Sequence, residues 1–265
     1  MAIVTRVTQT RRPGRYNIYL DNEFAFAVAE KILLDFNLFK GTEVNAEQRV
    51  AIETAEYAQK AYQKALVYAT GTMRSVQQVR QKLKEADFPD DVIDQAIERL
   101  VQVDILKDQK FAEEYVSTQM QRGKLGPKGV SFKLRQYGVD RFTIDDTLVA
   151  YDEVTEYENL MQQVEPLFDK YQRSSVYLAQ QKVSNKLYQS GFNGHLIKRA
   201  LSEYLDEHEP DDEQEMANFN REIEKLAERY VDYSGWDYQQ KMKAGMYRRG
   251  FNLKQVDRWL KEHSS

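Results

Sequence analysis

The sequence predicts a mainly α-helical fold: tandem three-helix repeats stacked into an elongated, curved solenoid, with a small antiparallel β meander at the N-terminus. Three observations carry that prediction. A six-residue phrase occurs four times, as LKEADF (83–88), LRQYGV (134–139), LYQSGF (187–192) and MYRRGF (246–251). The stretches between its copies show helical periodicity, and the first thirty residues alternate apolar with polar side chains.

From the N-terminus, IVTRVTQT, RYNIYLD and EFAFAVA read as three strands joined by turns at RRPG and DNE. EKILLDFNL reads as a short helix, KGTEV as a break, and 46–69 as a long helix leading into the first phrase. A meander this small must pack on the first helices to be stable.

Each phrase reads as a helix end, a tight corner and a second helix. With the copies aligned on Leu83, Leu134, Leu187 and Met246, spaced by 51, 53 and 59 residues, the fifth residue of the phrase is Asp87, Gly138, Gly191 or Gly250. A residue just past a helix end adopts positive φ, which Gly tolerates best and Asp tolerates better than most. Phe88, Val139, Phe192 and Phe251 follow, as the apolar residue of a Schellman corner. Asp140, Asn193 and Asn252 are the expected caps of the second helix, with Asp90 after Pro89 in the first copy. Asn252 with Gln255 has the spacing of a capping box. Ile93, Ile144, Ile197 and Val256, then Ile97, Leu148, Leu201 and Leu260, form the apolar stripe of that helix.

A further helix fits between copies: 108–120, with Phe111, Tyr115 and Val116 on one stripe, then 156–171 and 214–230. Pro166 is expected to kink or break the middle one. The resulting division is 1–45 for the meander and short helix, 46–122, 123–172 and 173–232 for three repeat units, and 233–265 for a fourth, partial unit.

The composition, with 30% charged and 12% aromatic residues, 12 Gly and 5 Pro, suits a well-packed helical protein. With no Cys, the chain has neither disulfides nor thiolate metal sites, and a reducing, cytoplasmic setting is compatible. No signal pattern opens the sequence and no uncharged apolar run is long enough to span a bilayer, so secretion and membrane insertion are not expected. Net charge is −4, but its sign alternates in register with the repeat. Residues 122–141 hold six Lys/Arg against one acid, and 142–171 hold eight acids against one Lys. Residues 172–202 hold five basic residues and no acid, and 203–232 hold twelve acids against three basic. The last stretch, 233–265, returns to seven basic against three acidic.

No constellation for catalysis emerges. His195, His208 and His263 lie far apart without metal-ligand spacing. RGKLGPKG (122–129) is basic and Gly-rich but lacks phosphate-loop spacing, and no GxSxG occurs. The acidic tract EHEPDDEQE (207–215) reads as a solvated connection and helix start. The 17 Tyr fall mostly at helical spacing, as core or interface residues. Three non-enzymatic classes stay open: a protein-binding solenoid, a nucleic-acid binder whose helix corners present Lys and Arg to phosphates, and an inert scaffold.

The stretch 79–116 (VRQKLKEADFPDDVIDQAIERLVQVDILKDQKFAEEYV), continuing through GPKGVSFKLRQYGV (126–139), resembles the RecX family of bacterial recombination regulators. Asp108 with Phe111 and Ala112 at a helix start matches one family mark, and Gly126, Pro127 and Lys128 match another. The N-terminal meander resembles the extension of Gram-positive members, and the likeness weakens after about residue 203. The resemblance implies a non-catalytic, cofactor-free, cytoplasmic protein, expected to act as a monomer. Its implied partner is the RecA recombinase filament on single-stranded DNA, with naked DNA bound weakly or through the filament. Its implied effect is to modulate, chiefly by inhibiting, strand exchange, ATP hydrolysis and the co-protease activity behind the SOS response. The candidate contacts are Lys124, Lys128, Lys133 and Arg135, then Lys182 and Lys186, then Arg248 and Arg249. The alternative is a free-standing nucleic-acid-binding repeat protein with an indirect effect on recombination.

Overall fold

Alternation in the first thirty residues builds a sheet because a strand sends successive side chains to opposite faces. In the computed structural model, which describes residues 1–208 and 211–263, β1 (Ala2–Gln9), β2 (Arg15–Leu20) and β3 (Glu23–Ala29) pair antiparallel. Asp21 and Asn22 turn β2 into β3, both at positive φ (50° and 72°), as a two-residue hairpin of the tightest kind requires. A short fourth strand, β4 (Glu43–Val44), joins β1, so the sheet order is β3-β2-β1-β4. The segment expected to be a simple break therefore extends the meander. Two residues are too short to show an alternation.

The chain forms two compact units, one from Met1–Ala112 with Gln136–Thr143, the other from Glu113–Arg135 with the chain from Ile144 onward. In the first, Val4, Ile18, Leu20 and Val28 of the sheet pack on α1 (Glu30–Asp35) and on Ile52 of α2 (Ala46–Gly71). Glu56 of α2 fastens the sheet, accepting from the Ala29 N–H and from the Arg15 guanidinium, both at 2.7 Å. Further along α2, Ala61, Ala65 and Ala69 form a stripe of small side chains. It packs with α3 (Val76–Lys84) and α4 (Asp90–Gln102) around Leu83, Ile93, Ile97 and Leu100.

Helix α5 (Asp108–Arg122) begins in the first unit and continues in the second, followed by α6 (Pro127–Gln136) and α7 (Arg141–Leu148). In the second unit α8 (Glu153–Tyr171) clusters with α9 (Val176–Gln189) and α10 (Gly194–Glu207) around Leu160, Leu187, Phe192 and Ile197. Next, α11 (Asp212–Arg229) clusters with α12 (Gly235–Arg248) and α13 (Leu253–Glu262) around Ile223, Met246, Phe251 and Val256. In both clusters a long helix packs with the corner pair that follows it. Asp211 caps α11 through the N–H groups of Glu213 and Gln214. Glu209 and Pro210, in the acidic tract, lie outside the described residues.

The corners take the conformation the phrase demands. Asp87, Gly138, Gly191 and Gly250 all have positive φ, at 58°, 79°, 86° and 81°. The N–H of Phe88 donates to the Leu83 carbonyl, Phe192 to Leu187 and Phe251 to Met246, at 3.2–3.3 Å. These are the six-to-one bonds of the Schellman motif. Asp140, Asn193 and Asn252 cap their helices through the N–H groups of Thr143, His195 and Lys254.

Three local expectations are corrected. Pro89, not Asp90, is the residue before α4: its ring supplies the extended backbone that a cap position needs, so Asp90 falls in the first turn. Asn252 caps through Lys254, while the reciprocal capping boxes form at Asn45–Gln48 and Ser75–Gln78. Helix α8 runs unbroken through Pro166. Pro166 and Gln162, whose carbonyl loses the bond, are both exposed, so water can take the acceptor.

The last three corners then each seat on the start of the preceding phrase-bearing helix. The Ser75 hydroxyl, capping α3, donates to the Tyr137 carbonyl at 2.6 Å, and the Val76 N–H donates to Asp108 at 2.8 Å. The same atoms recur at α9: Ser175 donates to the Arg249 carbonyl at 2.5 Å and the Val176 N–H to Glu215 at 3.2 Å. At α6 the Gly-Pro-basic segment takes the place of serine. The Gly126 N–H donates to Ser190 at 3.0 Å and the Lys128 N–H to Gly191 at 3.2 Å, carbonyl acceptors in both cases. Pro127 sits at the first helical position, where a missing N–H costs nothing. A Cβ on Gly191 would stand 1.9 Å from the Gly129 nitrogen, so backbone meets backbone with no room between.

Gly191→Ala is therefore expected to cost at least about 3 kcal/mol, since neither backbone can yield. Gly14→Ala is the comparison: φ is 73° there too, but nothing lies within 4 Å of the new Cβ. It should cost only the conformational penalty, about 1 kcal/mol. Urea unfolding of both variants checks the difference.

Candidate partner-binding surface

The caps fix where the lysines fall. Seven residues after each cap, Ser75, Gly126, Ser175 and Ser234, stands a lysine: Lys82, Lys133, Lys182 and Lys241. Seven residues make two turns, so the lysine returns to the side of the cap, and helical side chains lean toward the N-terminus. In three copies the ammonium reaches a tyrosine that ends or follows the leading helix. Lys82 lies 5.9 Å from the Tyr68 ring centre and Lys182 5.4 Å from that of Tyr171. Lys241 lies 5.8 Å from Tyr230 and 4.2 Å from Tyr233. Such a contact is worth about 0.5–1 kcal/mol at an exposed site and holds the cation without consuming its protons.

The residues expected from sequence divide by what they touch. Lys124, Lys128, Arg135, Lys186 and Arg248 are exposed, whereas Lys133, Lys182 and Arg249 are half-buried. Arg249 is engaged internally: it donates to Glu222 at 2.9 Å and to the Gly245 carbonyl at 3.0 Å, tying α12 to α11. Lys182 donates to the Ser174 hydroxyl at 2.8 Å, Arg135 to Ser131 at 3.2 Å and Arg248 to the Ala244 carbonyl at 3.2 Å. Lys128 sits beside the buried Glu156. Lys124 and Lys186 have no ion-pair partner among the described residues.

Lys82 and Lys241 are not among the sequence-derived candidates, although the cap spacing marks them. Helices α9 and α12, at 14 residues each, are about one turn longer than α3 and α6, at 9 and 10. An alignment on the phrase thus shifts the lysines of the last two copies out of register.

Three carboxylates sit at junctions between helices. Burial pushes the carboxyl of Asp108 above its ordinary range, against the Val76 N–H bond that opposes the shift; Asp140 adds to it. Burial raises Glu156 likewise, opposed by the Asn193 N–H at 2.6 Å and by the Lys128 charge. Glu215 follows the same pattern with Val176. Each bonds a backbone N–H at or just before a helix start, so burial outweighs the bond at all three sites.

The fold and this surface define a tandem helical-repeat protein with a small sheet at its start and a recurring cationic station per copy. Residues 2–45 match the regulatory protein RecX N-terminal domain, 61–100 the first RecX three-helix domain, 108–148 the second and 212–260 the third. The likeness therefore does not fade beyond residue 203. The copy built from α8, α9 and α10 lies between the last two matched segments, and α11–α13 carry the family's third domain. Regulatory protein RecX of Limosilactobacillus reuteri (strain DSM 20016) is 35% identical over 98% of both chains. That of Bacillus velezensis (strain DSM 23117 / BGSC 10A6 / LMG 26770 / FZB42) is 30% identical over 99% of both. A crystal structure of regulatory protein RecX superposes with a TM-score of 0.67 at 33% identity, covering 76% of this chain and all of that one. RecX from Lactobacillus salivarius superposes at 0.51 with 30% identity, over 58% of this chain and 99% of that one. The chain belongs to the RecX family of regulatory proteins.

Glu156 generates a test by pH. Its raised folded value means that the folded chain binds the proton more tightly than the unfolded chain does. The associated stability is present below the ordinary carboxyl value and is lost as pH rises through the raised one. Glu156→Gln keeps an acceptor for the Asn193 N–H and removes the titration. As pH rises from the ordinary carboxyl range toward neutrality, the urea midpoint of the variant should gain on that of the native chain. A constant gap across that range would contradict the burial of this charge.

Proposed function

We propose that this chain regulates homologous recombination by binding the RecA nucleoprotein filament along its helical groove and lowering its strand exchange, ATP hydrolysis and co-protease activities. It acts without catalysis, as a monomer, in the cytoplasm. The observation that carries the reading is the recurrence of charge with the repeat: a lysine seven residues after each cap, in basic stretches that alternate with acid-rich ones. A nucleoprotein filament is itself a repeating surface, with phosphates at regular intervals between protein side chains of both signs. A repeat protein with cations and carboxylates in alternation complements such a surface, and this charge pattern governs association and partner choice. Membership of a family of regulatory proteins over nearly the whole chain supports the same reading. No helix among the described residues is long and apolar enough to cross a membrane.

Lys124, Arg135 and Lys186 are exposed, so reversing them to Glu leaves the core untouched. The triple variant should keep its helical circular dichroism and bind the filament about tenfold more weakly, at a few tenths to one kcal/mol per charge. The assay is fluorescence anisotropy of labelled single-stranded DNA with and without ATP-loaded RecA, with ATP hydrolysis followed in parallel. Unchanged filament binding removes these three residues as contacts. Equal binding of the native chain to naked DNA and filament, with ATP hydrolysis unaffected, overturns the filament reading.

A further inference from the structure

Helices α1 and α2 cover the side of the N-terminal sheet that carries Val4, Ile18, Leu20 and Val28. A row of large side chains crosses the opposite side. Arg6 of β1 pairs with Tyr19 of β2, and Tyr19 pairs with Phe24 of β3. The Arg6 guanidinium lies over the Tyr19 ring, 3.8 Å from its centre, and the Phe24 ring meets Tyr19 edge-on at 5.9 Å.

Two irregularities of pairing put the row there. Strict alternation would send Arg6 to the side of the buried Val4, and Phe24 to the side of Phe26, which packs in the core. Between Val4 and Arg6, β1 spends two residues against one of β2, and β3 does the same between Phe24 and Phe26. The extra residues, Thr5 and Ala25, are bulges that turn Arg6 and Phe24 outward. Each bulge interrupts the ladder, and together they deliver a cation and a phenylalanine to the solvent side. Phe24 is 59% exposed.

A hollow of about 610 Å³ opens beside this row, with Arg6, Tyr19, Asn22, Phe39 and Lys40 among its walls. No carboxylate lines it. Arg6 and Lys40 are exposed, and neither has an ion-pair partner among the described residues. Asp21, in the nearby turn, is engaged by the Ile3 N–H at 2.9 Å. Residues 1–20 carry four Arg and no acid, so the surroundings are positive as well.

This chemistry selects a ligand. A guanidinium laid flat on a ring keeps its N–H edge free in a fixed plane, the arrangement that grips the two oxygens of a carboxylate. Lys40 adds a second charge, and Phe39, 48% exposed, adds apolar surface beside it. Arg6 occupies a face of Tyr19 and Phe24 abuts its ring, so the stacking that a nucleobase needs is already taken there. An acidic peptide fits the patch better than a nucleic acid does.

We propose that the outer face of the N-terminal sheet is a docking site for an acidic segment of a partner protein, with a carboxylate held by Arg6 and Lys40 and a large apolar side chain against Phe39. The site stands apart from the residues proposed to meet the filament, and its occupation does not depend on them.

The test uses the full chain and a fluorescein-labelled peptide in which Glu residues flank a Phe, followed by anisotropy at low salt. The native chain should bind it, and Arg6→Gln or Lys40→Gln should each weaken binding about two- to fivefold. Arg6→Lys keeps the charge but loses the planar fork, so it should weaken binding as Arg6→Gln does. Phe39→Ala should weaken binding of this peptide and leave a version with Gly in place of Phe unaffected. Lys261→Gln, on α13, should change nothing. Urea unfolding verifies that the variants remain folded. Three results would each overturn the proposal: no binding by the native chain at millimolar peptide, equal binding of a peptide with Gln in place of Glu, or unchanged affinity in Arg6→Gln/Lys40→Gln. A dT oligonucleotide whose binding the double variant abolishes, while peptide binding persists, would assign the patch to nucleic acid instead. A concentration-dependent dimer in sedimentation that the double variant abolishes would assign it to a second copy of this chain, and so also overturn the proposal.

Discussion

The seating of a corner on the first turn of an earlier helix is the contact on which the architecture depends. A helix start offers unpaired N–H groups and a corner offers unpaired carbonyls, so the two ends satisfy each other when brought together. The approach needs a corner residue with positive φ and little or no side chain beneath it. Gly138, Gly191 and Gly250 meet both demands, packing against Gln77, Gly129 and Ser175. Where serine caps the receiving helix, its hydroxyl bridges to the corner carbonyl; where glycine replaces it, at Gly126, two backbones touch directly. One chemical problem thus has two solutions in the same chain, both compatible with the same helical pair.

Charge is layered over that frame. Carboxylates of Asp108, Glu156 and Glu215 finish the junctions from inside, where burial opposes their ionisation. Lysines at a fixed distance from the caps stand outside, steadied by tyrosine rings. The pairing of Arg249 with Glu222 belongs to the inner layer despite its place in a basic pair with the exposed Arg248. Sequence neighbours on a helix point in different directions, and here that separates a structural guanidinium from an available one.

Much of this frame was legible from residue identity. The phrase states its corner outright: a left-handed residue and an apolar residue at fixed offsets permit little else, and Asp87 at φ 58° follows the glycines. The strands announce themselves by alternation. What stayed hidden lies in the relations between copies. No local pattern tells that Gly126 and Gly129 face Gly191 more than sixty residues on, so the Gly-Pro segment reads as a basic loop until its backbone partner is seen. The pairing of Val44 with Ala2 is long-range in the same sense. Exposure decides Pro166, since a helix tolerates the lost bond where water replaces it. The lysine stations escaped because two phrase helices are a turn longer than the others, so cap and phrase define different registers.

The arrangement also explains why weak contacts can suffice. A single exposed lysine facing a phosphate or carboxylate contributes a few tenths to one kcal/mol. Several such cations carried on the same folded unit bind at one entropic cost, because after the first contact the others are already near their targets. That advantage requires the copies within a unit to be held in fixed register, which the backbone junctions provide. It also requires each cation to lose little freedom on binding, which the tyrosine rings provide. On the proposed reading, such a chain responds steeply to ionic strength and to the spacing of charge on its partner, and weakly to the loss of any one residue. A regular polymer of phosphate and protein presents that spacing over its whole length, whereas a compact protein surface presents it by accident. On the proposed reading, the repeat selects for the form of its partner as much as for its charge.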